Sequence, residues 1–484
     1  MFGEDYRYFN NIRGAELVKQ LANKEISNCD ALILQKQLCM SCCAALLKYI
    51  EHIQNIVFSS GALRFTFKDV ENMCMIDLGS WKNLEIVDEF LSKDHRSLMS
   101  IINKTLTPSG ARLLRSNLLQ PSTDKPLIEA RLDAVEELID DPHLLERLRK
   151  IIARVHELDH VLAMFIRTNS EVTVQSAEYN ITQLLHLRRT LHIVEPLRQV
   201  LSNVKSQLLV NNKNHLNDSR LDELIEILDD RINSDVLSTN KKNSITIRNQ
   251  KCYAVKIFIN EVRNRSSITF TSRSLIRYND RIEQSVCEVL LAGDIVIQQI
   301  IENMRPHAAV LYYVMDAIAN IDFLCSLAVY ASTTQSVRPR FGTSVMLKGA
   351  RHPLLDHSMP DRVVPNDTYL TPDSRFAIIT GPNMAGKSTY LKQVSQLCLM
   401  AQMGSMVPAQ IAVLPIFTRV FSRIGHNDCL AQNLSAFAVE MSEMAVILQY
   451  ANERSLIVID ELARSKLSLY LIYCKSIFSG DRII

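Results

Sequence analysis

Residues 376–390 read Phe-Ala-Ile-Ile-Thr-Gly-Pro-Asn-Met-Ala-Gly-Lys-Ser-Thr-Tyr, an apolar run, a glycine-bounded loop and a Lys-Ser pair in direct succession. Gly381, four residues, then Gly386-Lys387-Ser388 has the spacing of a phosphate-binding P-loop. The flanks agree: residues 376–380 have the composition of a buried strand, and Leu391, Val394, Leu397 and Cys398 recur at helical spacing afterwards. Glycines let the backbone wrap an anion closely, the amides of residues 384–388 are expected to point inward, and the helix N-terminus adds partial positive charge. The predicted nucleotide contacts are Gly381, Pro382, Asn383, Met384, Ala385, Gly386, Lys387, Ser388 and Thr389. Lys387 is expected on the terminal phosphates and Ser388 on Mg²⁺. The competing reading is a chance Gly-Lys-Ser turn before an ordinary helix, which leaves the preceding apolar run unexplained.

A P-loop needs a partner strand that ends in carboxylates. Residues 456–461, Leu-Ile-Val-Ile-Asp-Glu, supply one. Asp460 is expected to hold Mg²⁺ through water, and Glu461 to polarise the attacking water as general base. Adjacent carboxylates there favour hydrolysis over transfer to a second substrate, which argues against a kinase. Between the two motifs Ser435 is a predicted helix N-cap, with Phe437, Met441, Met444 and Leu448 on one face. The methionines read as core. A serine at an exposed helix start can also meet a γ-phosphate across a dimer interface, and periodicity alone leaves both roles open.

Length and composition set the frame. The 484 residues allow about three domains, and 47% hydrophobic content is ample for buried cores. Only 13 glycines and 14 prolines point to long helices and few loops. Net charge is +2, but residues 241–281 hold ten Lys/Arg against Glu261 and Asp280 alone. Such a segment supplies sequence-independent affinity for nucleic acid phosphates, or is simply a solvated surface; charge does not choose. The 11 scattered cysteines read as reduced thiols of a cytoplasmic or nuclear protein. Cys39-Met-Ser-Cys42-Cys43 lacks a second ligand pair and reads as core. No apolar run reaches the roughly 18 residues that span a bilayer.

Along the chain, residues 10–60 are predicted mostly helical, with a strand-like alternation around Leu63-Arg64-Phe65-Thr66-Phe67. Pro108 and Gly110 open a new helix. Asp141-Pro142 reads as an N-cap followed by proline at the first helical position, and Leu144, Leu145, Leu148, Ile151, Ile152 and Val155 fall on one face. Helices continue over 176–236 until Pro196 interrupts them. His156 and His160, spaced i, i+4, read as a solvated helix face rather than a metal pair. Residues 245–256 alternate like a strand, and 282–335 read as long apolar helices ending at Val337-Arg-Pro-Arg.

These motifs together identify a resemblance. Residues 380–393, Thr-Gly-Pro-Asn-Met-Ala-Gly-Lys-Ser-Thr-Tyr-Leu-Lys-Gln, with Gly404-Ser-Met-Val-Pro-Ala, Ile416-Phe-Thr-Arg, Ser435-Ala-Phe-Ala-Val-Glu-Met and Ile459-Asp-Glu-Leu, resemble the MutS family of DNA mismatch-repair ATPases. Arg351-His-Pro-Leu-Leu, Pro365-Asn366, Thr107-Pro-Ser-Gly-Ala-Arg-Leu-Leu-Arg and Arg131-Leu-Asp-Ala-Val-Glu-Glu-Leu extend it over most of residues 30–465. Arg248-Asn-Gln-Lys-Cys-Tyr-Ala-Val-Lys and Asn260-Glu261 look most like the eukaryotic meiotic branch. The resemblance implies an α-helical core/lever domain followed by an α/β P-loop, ABC-type ATPase domain. Residues 1–75 would be a connector remnant and first core helices, 76–337 the core and lever with a vestigial clamp at 241–281, and 338–465 the ATPase domain. It implies ATP and Mg²⁺ as cofactors, Asn366 beside the adenine, and Ser435 in the signature that closes a partner's ATP site. It also implies double-stranded, branched or junction DNA as a partner, whose phosphates Arg263, Arg265, Arg273, Arg277 and Arg281 of the basic segment are placed to meet by charge, a second meiotic MutS homologue as heterodimer partner, and a nuclear location without membrane contact.

Three departures shape the expectation. The family's mismatch-reading domain and most of its connector have no counterpart, so mismatch reading is not expected. Only a few residues separate the Tyr253 segment from Ser267-Ile-Thr-Phe-Thr-Ser, where the family carries a DNA-gripping clamp. After Asp-Glu-Leu the chain runs Ala463-Arg-Ser-Lys-Leu-Ser, with no histidine beyond His426 to serve as the family's switch. The expected product is therefore truncated after Walker B, residues 466–484 being a tail foreign to the family, with splice junctions near Ser465 and Asn264. Transcript sequencing tests this: codons that run on as written overturn it. The alternatives are a post-replicative mismatch-repair paralogue without its reading domain, and a catalytically silent interaction module.

Overall fold

The structure, a computed structural model, describes residues 8–28, 31–67, 72–87, 97–167, 173–231, 245–248, 258–263, 267–359, 362–424 and 436–460. Helices α1 (Asn11–Leu21), α2 (Ala31–Leu34) and α3 (Gln37–Gln54) precede strand β1 (Met75–Ile76). Then come α4 (Leu78–Asn83), α5 (Leu98–Ile102), α6 (Pro108–Leu119), α7 (Lys125–Asp140), α8 (Pro142–Ile152), α9 (Asp159–Ile166), α10 (Val174–Val200), α11 (Gln207–Leu216) and α12 (Arg220–Arg231). Strands β2 (Ile245–Arg248), β3 (Phe258–Arg263) and β4 (Ser267–Ser272) lead into the long helices α13 (Arg273–Met304) and α14 (Ala308–Thr333). The rest alternates: β5 (Arg340–Phe341), β6 (Val345–Ala350), α15 (Pro353–Ser358), β7 (Asn366–Leu370), α16 (Lys387–Met403), β8 (Ile411–Leu414), β9 (Arg419–Arg423), α17 (Ala436–Tyr450) and β10 (Ser455–Ile459).

The chain divides into two compact units that interleave along it. One comprises Met1–Thr66, His156–His192 and Asp218–Tyr312; the other comprises Phe67–Val155, Ile193–Asn217 and Tyr313–Ile484.

In the first unit α1 lies so close on α3 that a Cβ at Gly14 would sit 1.9 Å from the Met40 carbonyl oxygen. Val18 and Leu21 are buried there with Met40, Ala44 and Leu47. Cys39 and Cys42 are exposed and Cys43 half-buried, which corrects the core reading of the cysteine cluster: the buried face of α3 is the opposite one. Residues 63–67 form no strand; Leu63 makes one isolated bridge to Ala22. His156 precedes α9 and stacks on His186 with ring centroids 4.2 Å apart, so it shares no helix face with His160. Strand β4 pairs antiparallel with both β3 and β2.

In the second unit α6 starts where the sequence places it. Thr107 caps it, its hydroxyl accepting from the Gly110 amide at 3.0 Å, with Pro108 in the first turn. Asp141 caps α8 through the Leu144 amide, and Leu144, Leu145, Leu148 and Ile152 are buried. Pro196 does not end α10, which continues to Val200 before a 3₁₀ turn; a proline close to a C-terminus forfeits one ladder bond without stopping the last turn. Segment Arg273–Thr333, which passes from the first unit into the second, includes one window long and apolar enough to cross a membrane by length and composition, but 78% of that window is buried.

Two sheets carry the nucleotide motifs' neighbourhood. One has the order β1-β9-β10, all parallel, with Ser455 opposite Arg419 and Ile459 opposite Arg423. The other has the order β5-β8-β6-β7. Residues 376–380 belong to neither. The predicted buried strand is corrected to an unpaired segment, with Phe376 62% and Ile378 63% exposed. The physical reason is pairing: a strand exists by its ladder, and among the described residues none runs beside this one.

Candidate nucleotide site

The loop from Gly381 to Gly386 ends in a left-handed turn. Gly386 has φ +90°, a conformation that favours glycine, and Met384 has φ 65°. Helix α16 begins at Lys387, so its first free amides face the loop. The Lys387 ammonium folds back across it, donating to the carbonyls of Gly381 and Pro382, each at 2.9 Å. A phosphate would exchange these neutral acceptors for charged ones, which bind an ammonium more strongly.

The decisive contact joins the two motifs. Ser388 Oγ donates to Asp460 Oδ2 at 2.5 Å, placing the residue after β10 against the first turn of α16. Asp460 is also anchored by its amide, which donates to the Arg423 carbonyl at 2.8 Å. A hydroxyl and a carboxylate side by side are hard oxygen donors of the kind Mg²⁺ takes alongside phosphate and water. The donor set therefore fits the ion. Among the described residues no three His, Cys, Asp or Glu side chains gather as an independent metal site.

Asn366, at the start of β7, donates to Gln393 Oε1 at 3.1 Å, and Gln393 donates to the Ala350 carbonyl at 2.8 Å. The Thr368 and Tyr390 hydroxyls meet at 2.7 Å. Gln393 and Tyr390, both on α16, thus clamp β7 beside the loop. The sequence reading missed them; a polar side chain amid the apolar face of α16 was the available signal. Farther along α16, Lys392 pairs with Glu85 at 2.7 Å and Gln396 donates to the Leu84 carbonyl at 2.7 Å. His352 is buried in this neighbourhood, and burial pushes its imidazole down to about 4, the nearby Glu85 opposing and Lys392 reinforcing the shift.

Glu461 and Ser435 lie outside the described residues. Helix α17 begins immediately after Ser435; its buried residues Met444 and Ile447 pack with Phe421, Met441 lies against them, and Leu448 is exposed. Arg263 ends β3 and Arg273 opens α13 in the first unit, while Arg265 lies outside the described residues.

Comparison with known proteins places these elements. A model of MutS domain III matches residues 80–328, and one of MutS domain V matches residues 377–469. The chain is 41% identical to the MutS protein homolog him-14 of Caenorhabditis elegans, over 95% of its own length and 63% of that protein. It is 33% identical to human MutS protein homolog 4 over 95% of its length and 56% of the relative. The DNA mismatch repair protein MutS of Thermotoga neapolitana shares 31% identity over 88% of the chain and 57% of that protein. The chain spans between half and two thirds of the length of these relatives.

Proposed function

This chain belongs to the MutS family, and we propose that it is an ATP-binding subunit of the meiotic MutS homologue four type, acting on recombination junctions or other branched DNA in the nucleus as an ATP-switched clamp. The contact between Ser388 and Asp460 carries this reading, because it unites two motifs 72 residues apart in the one arrangement that nucleotide chemistry requires. Lys387 leaves the Gly381 and Pro382 carbonyls to hold the terminal phosphates. Ser388 and Asp460 hold the cation, and Mg²⁺, when bound, supplies charge neutralisation at the phosphates. Glu461 takes the proton of the attacking water. Residues 363–366 border the adenine, with Asn366 fixed by Gln393. Ser435 belongs to the signature that closes the ATP site of a second meiotic MutS homologue. Residues 76–337 form the core and lever with a vestigial clamp at 241–281, residues 338–465 the ATPase domain, and Arg263, Arg265 and Arg273 meet DNA phosphates.

A second reading has one observation in its favour. Residues 376–380 lack strand partners and are exposed, which suits an interaction module that binds nucleotide weakly or not at all. Calorimetric titration of the purified chain with Mg-ATP separates the two. Saturable binding that falls about 30-fold or more in Lys387→Ala supports the ATP-binding subunit, since a charge-assisted phosphate contact is worth roughly 2 kcal/mol or more. Absence of binding by the unmutated chain sinks it and leaves the module.

A further inference from the structure

Helix α13 carries an apolar seam with coiled-coil spacing. Leu275, Tyr278, Ile282, Ser285, Val289, Ala292 and Val296 follow one another at intervals of three and four without a break, the heptad pattern of a two-helix contact. This seam faces solvent. Tyr278 is 66% exposed, Ile282 53%, Val289 71% and Val296 43%, whereas Ile297, Ile300, Ile301 and Met304, nearer the C-terminus, are buried. Of the two hydroxyls in the seam, that of Tyr278 sits at the tip of a long ring that reaches the water-facing edge of a helix contact, and that of Ser285 is already satisfied, Ser285 Oγ donating to the Arg281 carbonyl of its own helix at 2.9 Å. Its burial therefore strands no polar group.

We propose that this seam is a self-association surface, on which α13 of a second copy of the chain lies antiparallel. Heptad geometry selects that occupant and that direction. When the two helices run antiparallel about a centre between Glu283 and Gln284, each large core residue meets a smaller or matching one: Leu275 meets Ala292, Tyr278 meets Val289, and Ile282 meets Ser285. All three pairs satisfy one register. In the same register Arg281 and Glu288 flank the core on the side where antiparallel helices bring like heptad positions together. Arg281 of each copy then faces Glu288 of the other, twice by symmetry. Among the described residues of one chain Glu288 accepts from the uncharged Gln284 alone, at 3.3 Å, and the Arg281 guanidinium has no side-chain partner there. A parallel pairing would set Arg281 against Val286 and leave both charges unmatched. The paired stretch, from Leu275 to Ala292, extends for about 26 Å, and such a contact sits at the low end of specific interfaces, no more than about 1,200 Å² in total, which suits micromolar association.

The inference does not rest on the nucleotide reading, and its test excludes nucleotide. Analytical ultracentrifugation of the whole chain without ATP is expected to show a concentration-dependent dimer. Val289→Asp abolishes it while leaving the circular dichroism spectrum unchanged. Arg281→Glu and Glu288→Arg each set like charges together and weaken the dimer by about tenfold or more, and the doubly reversed R281E/E288R chain regains it. Lys387→Ala dimerises like the unmutated chain. A monomer at all concentrations, a dimer indifferent to Val289→Asp, or a double reversal that fails to rescue overturns the proposal.

Discussion

Asp322 shows how one side chain can fix a helix start. It is fully buried on α14, and its carboxylate accepts from the amides of Leu106 at 3.0 Å and Thr107 at 2.8 Å and from the Thr107 hydroxyl at 2.7 Å. Gly110 lies against it: an added Cβ would stand 2.4 Å from Asp322 Oδ2. A carboxylate held by three hydrogen bonds cannot step aside without losing some of them. Gly110→Ala is expected to destabilise the protein by about 3 kcal/mol, read by denaturant unfolding. Gly293 is the control, because a Cβ there meets nothing within 4 Å. Gly293→Ala in mid-helix should be stabilising by about 0.5–1 kcal/mol. His352 makes a prediction in pH. Its folded value of about 4 lies below the ordinary 6.5, so between these values the unfolded chain binds the extra proton. Stability is then unaffected above about pH 6.5 and declines as pH falls toward 4, by roughly 3 kcal/mol in total. Comparing pH-dependent unfolding of the protein with that of His352→Leu isolates this slope; identical slopes in both would exclude it.

Elements were legible where one periodicity met one cap. Helix α8 begins at the predicted Asp141-Pro142 start and α6 at the predicted Pro108, where the structure adds Thr107 as the cap, because a capping side chain and a proline act within a single turn. Strand β10 and the Asp460 that follows it were legible from another local signal, an unbroken apolar run closed by an acid. Residues 376–380 were not, since an apolar composition cannot reveal whether a neighbouring strand is available to pair. Nor was the exposed side of α3, because apolar residues such as Leu38 and Leu46 on the exposed side and Met40 and Leu47 on the buried one do not announce which face the partner covers. The end of α16 shows a tie no local pattern reveals. Gly404 closes the helix with φ +92°, and Arg131 of α7 donates to the Met403 carbonyl at 3.1 Å and to Asn117 Oδ1 of α6 at 2.7 Å. Its guanidinium also lies over the Phe323 ring, 5.4 Å from the centroid. A single ammonium cannot reproduce this fork. Arg131→Lys should therefore cost about 2 kcal/mol, and hydrogen exchange should report faster opening of the last turn of α16; unchanged protection there would remove Arg131 from that role.

At the scale of the whole molecule, the interleaving of the two units could not be read from a linear pattern, because each unit gathers three segments with stretches of the other unit between them. Charge distribution could be read, and it yields the prediction that most directly tests DNA binding. A net charge of +2 gives no general attraction to a polyanion, so the proposed affinity for DNA would have to come from the basic segment 241–281. Each phosphate neutralised releases condensed counterions, and the logarithm of the binding constant falls with the logarithm of salt concentration by about 0.9 per contact. Replacing Arg263, Arg265 and Arg273 together by alanine should therefore flatten that slope by about 2.7. These residues would supply phosphate contacts without base discrimination, so binding to different sequences should weaken alike. Fluorescence anisotropy over a salt series with a four-way junction and a plain duplex reads both effects. A slope unchanged by the triple substitution would remove these arginines from the interface, whereas a change on one base sequence alone would assign them to base reading.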